Sequence, residues 1–505
     1  LHIGGLIVNN RVQNGLVRNA EPHAMALFLN QMQRLSKTPL LVGADFERGA
    51  SMRVLGGTHF PYSMAFSAAR DRDASRYEGL VTAREARALG VQWLFAPVSD
   101  VNNNPANPVI NIRSFGENPQ EVSEHVAAYI EGAHSDSANR VLVTAKHFPG
   151  HGDTSIDSHL GLARLDASKE RMEQVELKPF EAAIAHGVDA IMTAHMAVPA
   201  IEPENIPATA SEKVLTGLLR RELGFNGIIV TDAMDMQGFA AQFNSATGSV
   251  RAIEAGADVL LMPPNPELAI QAVVRAVAGG KLTRQRIDES AMRILTAKVH
   301  LGIFKKKLVD LDGISDVLDA PDEDDRAQDI SDRAITLVRN SRNAIPFSRN
   351  SCLVISVERR LSAYGQRMAA EFRKSAPGGK VTIVDPSMPL SAMIDAAGDM
   401  NSCSAVAVAI FLMGDTLAPD ASTFIEKLTE GQAPVAVIGM GTPYILSSFP
   451  KAAVAIAAFS PTVTSEISAV KALFGEIPIT GHLPVTIPGF AQYGDGIQLA
   501  ASHQK

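Results

Sequence analysis

The sequence predicts two α/β units in one chain: a (β/α)8 barrel of the TIM type, then a smaller α/β sandwich. Three observations carry that prediction. Short apolar runs alternate with helical stretches over roughly the first 300 residues, the pattern of a parallel sheet covered by helices. Asp45, Lys146, His147, His195 and Asp232 fall at the C-terminal ends of those runs. A barrel gathers such ends at one mouth, whereas an open doubly wound sheet spreads them along an edge. After a charged stretch at 305–328 the alternation begins again.

The elements follow in order. Residues 3–8 read as a buried strand, and a helical stretch over roughly 21–36 carries Met25, Leu27, Phe28, Met32 and Leu35. Leu40-Leu41-Val42-Gly43-Ala44 is the second strand and ends on Asp45. A loop to about residue 72 and a helix over roughly 73–89 lead to Trp93-Leu94-Phe95-Ala96, which exits into Pro97-Val98-Ser99-Asp100. A helix over roughly 119–137 precedes a strand at 141–147. Helix 167–186 leads to strand 190–194, which ends on His195; helix 212–222 leads to strand 228–231, which ends on Asp232. A short helix near 248–256, a seventh strand at 259–262 and helices over 266–278 and 284–301 close the unit. Seven strands are one short of a barrel. The chain opens abruptly in strand-like sequence, without a methionine, so an upstream segment is expected to supply the eighth.

Residues 305–328 contain Lys305-Lys306-Lys307, Pro321 and an acidic run from Asp319 to Asp325. They read as an exposed linker between a barrel domain at 1–304 and a second domain at 329–505. In the second domain, strands are expected at 334–338, 352–357, 381–384, 405–412, 434–439 and 452–458. Helices are expected near 360–374, 388–398, 422–431 and 462–474. No Gly-x-Gly-x-x-Gly or Walker-type loop opens this unit.

Composition bounds the function. The 505 residues are 46% hydrophobic and 20% charged, with a net charge of -8, which disfavours a general nucleic-acid binder. No apolar run is long enough for a membrane span. Cys352 and Cys403 are a distant pair, with neither metal-type spacing nor a disulfide framework. Location, in a bacterial cytoplasm or exported, stays open, as does the oligomeric state.

The chemistry concentrates in Lys146-His147-Phe148-Pro149-Gly150-His151-Gly152-Asp153-Thr154, followed by Asp157-Ser158-His159. One loop at a strand exit offers a lysine, three histidines and two aspartates. Capping alone would account for Asp153 or Thr154, but rarely for three histidines. This stretch resembles the signature of family 3 glycoside hydrolases, in the β-N-acetylglucosaminidase (NagZ-like) branch. Ile229-Val230-Thr231-Asp232-Ala233-Met234 is similar to that family's nucleophile strand, and Arg113-Ser114-Phe115-Gly116 to a sugar-binding loop. Ile479-Thr480-Gly481-His482-Leu483-Pro484-Val485 resembles the end of its second domain.

The resemblance implies a retaining, exo-acting β-N-acetylhexosaminidase. Its expected substrate is a carbohydrate: terminal β-linked N-acetylglucosamine in a glycan or muropeptide, as in peptidoglycan turnover. Neither a cofactor nor a metal is expected. Asp232 is the candidate nucleophile; its bland alternative is a turn cap. His159 is the candidate acid/base. Asp157 lies two residues earlier, on the same side if the segment is extended, and is expected to orient the ring. A histidine's unperturbed pKa of about 6.5 suits proton transfer both ways near neutrality. Asp45, Arg113, Lys146 and His147 match positions that grip the sugar, and Arg53 and His195 either join them or brace them. The chain departs from the family at Phe46-Glu47-Arg48-Gly49-Ala50, where a Gly-Gly-Arg run is usual after the glutamate, so a role for Arg48 stays open. Rival readings are a phosphorylase, a β-glucosidase of the same family and a non-catalytic sugar-binding protein.

Overall fold

A computed structural model describes residues 2–502, apart from 14, 15, 319, 361 and 415. The first sheet has six parallel strands whose order in space is their order in the chain. They are Gly5–Val8, Leu41–Ala44, Trp93–Leu94, Leu142–Phe148, Ala190–Thr193 and Ile228–Thr231. Parallel neighbours need crossovers, and helices supply them, among them Pro22–Leu35, Arg72–Leu89, Pro119–Ser135 and Lys178–Ala185. Sequential order curls the sheet around one interior. Leu41, Trp93, Phe95, Leu142, Ala190, Met192, Ile228 and Val230 fill it as one apolar cluster, taken from alternate positions of the strands. The indole N–H of Trp93 donates to Thr144 Oγ1 at 2.7 Å, which satisfies that buried donor.

Three differences from the expected elements have local causes. Residues 259–262 make a single bridge, Val230 to Val259, in place of a seventh strand. Met262 has a φ of +47° and Pro263 and Pro264 follow, so the ladder loses its geometry and its donors there. The helix expected over 167–186 is two, Lys169–Gln174 and Lys178–Ala185, with Pro179 in the first turn of the second. The expected exposed linker is largely helical: Ile314–Leu318 and Pro321–Ala334, with Ile314, Leu318, Ala327 and Ile330 buried in the core of the barrel unit. Asp322, Glu323 and Asp324 occupy the first turn of the second helix, where the positive end of its dipole favours them. Asp319 lies outside the described residues.

The second sheet runs Thr336–Asn340, Val454–Ala457, Val435–Gly439, Val406–Phe411, Cys352–Val357, Val381–Val384. The first of these is antiparallel and the others are parallel. Separate apolar clusters cover its two faces. The first of its helices spans Gln366–Ser375, shorter than the expected 360–374, of which residue 361 lies outside the described residues. Cys352 and Cys403 are disulfide-bonded with Cα atoms 5.8 Å apart.

Candidate active site

Residues from three separate segments meet around Lys146. Asp45 and Glu47 follow Leu41–Ala44, and Lys146 lies within Leu142–Phe148 with its side chain 2% exposed. Its ammonium is 2.8 Å from Asp45 Oδ1 and 2.7 Å from Glu47 Oε1. Arg113 grips the same Glu47 as a fork, Nε to Oε2 at 2.9 Å and Nη2 to Oε1 at 2.7 Å, while its Nη1 donates to Val109 O at 3.0 Å. Burial alone would raise the Glu47 pKa, but Arg113 and Lys146 outweigh it and hold this carboxyl well below its usual range. Burial likewise opposes the charge on Lys146, and Asp45 and Glu47 reverse that, leaving its pKa raised. The side chains of Asp45 and Arg113 stay 24% and 20% exposed, against 4% for Glu47, so the outer pair keeps capacity for a ligand and the inner pair is sealed. Arg53 joins from the side, with Nη2 3.4 Å from Asp45 Oδ2 and Nη1 donating to Asn10 Oδ1 at 2.6 Å.

His147 stands next to this cluster, its Nε2 3.5 Å from Arg113 Nη2. Its other nitrogen, Nδ1, lies 2.7 Å from Asp100 Oδ2. Asp100 is fully buried, and its Oδ1 accepts the backbone N–H groups of His147 at 3.2 Å and His151 at 2.7 Å. Burial raises its pKa, but the neighbouring histidines and these donors bring it below the ordinary value, so Asp100 holds the loop as an anion. His151 is buried behind, with Nδ1 2.9 Å from Thr154 Oγ1; desolvation drives its pKa down to about 4.

Asp232 follows Ile228–Thr231, and its Oδ1 accepts the Ala233 N–H at 2.7 Å. Burial pushes its pKa up, yet His147, His195, the Ala233 amide and Lys146 together bring it below the usual aspartate value. A carboxylate held ionised at a partly buried position is what a nucleophile needs. His195 is wholly buried, with Nε2 donating to Ala233 O at 3.0 Å and Nδ1 2.8 Å from Thr209 Oγ1. Both ring nitrogens are engaged within the protein, so this ring braces the peptide beside Asp232.

Asp157 and His159 lie on the loop that follows. His159 Nδ1 is 2.7 Å from Asp157 Oδ1, and the same oxygen accepts the His159 backbone N–H at 2.8 Å. Asp157 O also accepts from Leu160 at 2.9 Å and Gly161 at 3.0 Å, so the segment is a turn and not extended. The pair meets through that turn. The loop is pinned to the chain just beyond Asp232: Gly238 N–H donates to Ser158 O at 3.0 Å and Gln237 N–H to His159 O at 3.4 Å. A Cβ at Gly238 would lie 2.8 Å from Ser158 O and 2.9 Å from Gly161 O, so glycine permits the approach.

The structure therefore gathers Asp45, Arg53, Arg113, Lys146 and His147 in one contact network beside Asp232 and His195, and places Asp157 and His159 on a loop tied to the Asp232 segment. It separates the three histidines of the central stretch: His147 faces the cluster, His151 is internal and His159 is exposed. Arg48 is turned away, 3.4 Å from Ser51 Oγ and over the Tyr62 ring at 5.4 Å. Glu47 and Asp100 are the residues that the sequence reading left out of the site. The signal for both was position, since each follows an apolar run by a few residues, as Asp45 does.

The described pattern "Glycosyl hydrolase family 3 N terminal domain" matches residues 1–297. A β-N-acetylglucosaminidase/β-glucosidase of Cellulomonas fimi is 32% identical over 358 residues, 69% of this chain and 61% of that protein. A β-hexosaminidase A of Pseudoalteromonas piscicida is 36% identical over 294 residues, 53% of this chain and 49% of that protein. The chain thus spans only part of the length of these relatives. A solved family 3 β-N-acetylglucosaminidase from Paenibacillus sp. str. FPU-7 superposes with a TM-score of 0.87 at 31% identity, over 96% of this chain and 93% of that one. A pattern match over more than half of the sequence and a superposition over both domains agree with the site geometry: the chain belongs to glycosyl hydrolase family 3.

Proposed function

We propose that the chain is a retaining β-N-acetylglucosaminidase that removes terminal β-linked N-acetylglucosamine, with peptidoglycan fragments as the substrate class. One observation carries the reading: a His–Asp pair at 2.7 Å stands on a loop pinned to the segment just after an ionised, partly buried aspartate. Asp232 attacks the anomeric carbon while the protonated His159 gives its proton to the leaving oxygen. The glycosyl–Asp232 ester forms and the glycosidic bond breaks. Neutral His159 then takes a proton from water, which displaces Asp232 and restores the configuration. Asp157 holds the ring by Nδ1 and its charge stabilises the imidazolium. Asp45 and Arg113 offer charge-assisted bonds to sugar hydroxyls, with Lys146 fixing them through Asp45 and Glu47 and with His147 beside them. The choice of N-acetylglucosamine is supported by the names of the similar proteins.

The test compares nitrophenol release from the N-acetylglucosaminide and the glucoside, each with and without phosphate, and follows sugar release from a purified muropeptide. The expected result is faster release from the N-acetylglucosaminide by at least about tenfold, the worth of one or two hydrogen bonds. Free N-acetylglucosamine should be the product. A sugar 1-phosphate as the main product, or preference for the glucoside, would replace this reading with the phosphorylase or the glucosidase.

A further inference from the structure

Among its hydrogen bonds to the barrel, the second domain makes several at the loops that carry Glu47 and Arg113. Arg113 closes a short 3-10 helix, Asn111–Arg113, within the long loop that leads to helix Pro119–Ser135. On the barrel side this loop is held by Ser114 Oγ, which donates to Asp100 O at 2.6 Å, and by Asn107 Nδ2, which donates to His151 O at 2.8 Å. Its outer side belongs to the second domain. Asn102 Nδ2 donates to Tyr444 Oη at 2.9 Å and Asn111 Nδ2 to Thr442 Oγ1 at 3.0 Å. Glu117 takes both donors of Thr486, the backbone N–H and Oγ1, each at 2.7 Å, and its own N–H donates to Pro484 O at 3.0 Å. Gly116, at φ +146°, fits beneath Pro484, where a Cβ would lie 2.5 Å from the carbonyl oxygen.

Two features show that this contact determines local shape. Asn111 is buried and has a φ of +42°, a left-handed conformation that a non-glycine residue holds at a cost. Its side-chain amide is tied by Thr442, two residues before Arg113. The loop that carries Glu47, the partner of Arg113, is fastened to the same domain: Thr464 Oγ1 donates to His59 O at 3.0 Å, and Tyr62 N–H donates to Ser460 Oγ at 3.3 Å. Both members of the Arg113–Glu47 pair therefore hang on segments with one end on the barrel and one on the second domain.

We infer that the second domain positions the sugar grip: Thr486 acting on Glu117, and Thr442 acting on Asn111, hold Arg113 in the place where it meets the substrate. These are positioning residues, since neither touches the reacting atoms. The inference rests on the reading of Arg113 as a sugar contact, and the experiment separates the two. KM and kcat for an aryl N-acetylglucosaminide are measured for Arg113→Ala, Glu117→Ala, Thr442→Val, Thr442→Ser and the Arg113→Ala/Glu117→Ala double variant of the full chain. Glu117→Ala and Thr442→Val are expected to raise KM about five- to tenfold, the loss of one or two hydrogen bonds, with kcat within about twofold. Thr442→Ser, which keeps the hydroxyl, should restore KM. In the double variant KM should match Arg113→Ala, because Glu117 acts through that residue. If Arg113→Ala leaves KM unchanged, the sugar-contact reading fails. If Arg113→Ala raises KM but Glu117→Ala and Thr442→Val do not, or if the double variant shows additive losses, the positioning inference fails. Should Glu117→Ala not fold, the Thr442 pair decides alone.

Discussion

The two halves of the candidate site are built on opposite terms. The half proposed to grip the sugar is built on a sealed pair: the Lys146 and Glu47 side chains are 2% and 4% exposed, and each bonds to more than one partner. The half proposed to transfer the proton stands in solvent: the His159 side chain is 57% exposed and is held by one carboxylate. His151 shows why the halves differ. It lies eight residues before His159 in the same stretch, and burial drives its pKa to about 4. At neutral pH a group with that value is protonated in roughly one molecule in a thousand, too few to serve as an acid. A buried His159 would fail its task for the same reason. Recognition of hydroxyls gains from fixed charges in a low dielectric, whereas exchange of a proton with water needs access to water.

The largest expected effect falls on the residue between the two halves. Asp232→Ala should lower kcat by about four orders of magnitude, as loss of a covalent nucleophile does, while circular dichroism and the melting temperature stay near those of the parent. A slow 2-fluoro substrate should label the parent at Asp232, and a label found elsewhere by mass spectrometry would overturn the assignment. The depressed pKa of Asp232 adds a sign. Its half-protonation point lies below the ordinary 3.8, so an acid limb of kcat/KM that comes from the nucleophile should have its midpoint below that value. An acid limb at higher pH that disappears only with a change at Asp232 would contradict the electrostatics described.

The next effect tests the exposed half. His159→Ala should cost about a hundredfold or more with poor leaving groups and much less with an activated phenolate, which needs little protonation to depart. Hydrolysis of the glycosyl-enzyme should then limit turnover. Asp157→Ala should cost less, and the double variant should be little worse than His159→Ala, because the two act as one unit. Melting temperatures should barely move, since the pair lies on a turn outside the core. Equal losses for good and poor leaving groups would remove His159 from its role.

Much of this was legible in the sequence because four of the strands are apolar runs that end on charged or titratable residues: Asp45, Lys146 with His147, His195 and Asp232. Lys146, His147, His195 and Asp232 could be placed at strand ends on that ground alone. What escaped was contact between segments remote in sequence. Asp100 serves the loop from 47 residues away, and nothing in Pro97-Val98-Ser99-Asp100 distinguishes it from a turn aspartate. The Cys352–Cys403 bond spans 51 residues and depends on two strands that become neighbours only in the sheet. The Asp157–His159 pair was expected from an extended segment and arises from a turn instead, because i and i+2 residues meet in both. The seventh strand failed at Met262-Pro263-Pro264, where local backbone chemistry overrides an apolar run.

The smallest expected effect on turnover, and the largest on stability, belongs to Glu47. Glu47→Gln keeps the shape of the side chain and removes its charge. Arg113 then loses its ion-pair partner while Lys146 keeps Asp45 at 2.8 Å, and Lys146 is too buried for water to compensate. Removing one partner of a buried ion pair costs about 3 kcal/mol, so the melting temperature should fall by several degrees at pH 7. KM should rise roughly tenfold, because the fork that aims Arg113 is weakened, while kcat changes little. The contrast with His159→Ala is then complete: one change moves KM and stability, the other moves kcat. pH gives the sharper test. The folded pKa of Glu47 lies well below the ordinary 4.5, so its stabilisation is fully present above that value and is lost as pH falls toward the depressed folded value. The stability gap between the parent and Glu47→Gln should therefore be widest near neutrality and should narrow below pH 4.5 as the parent loses its advantage. A gap that stays constant from neutrality into that acid range would mean that Glu47 contributes through shape and not through charge.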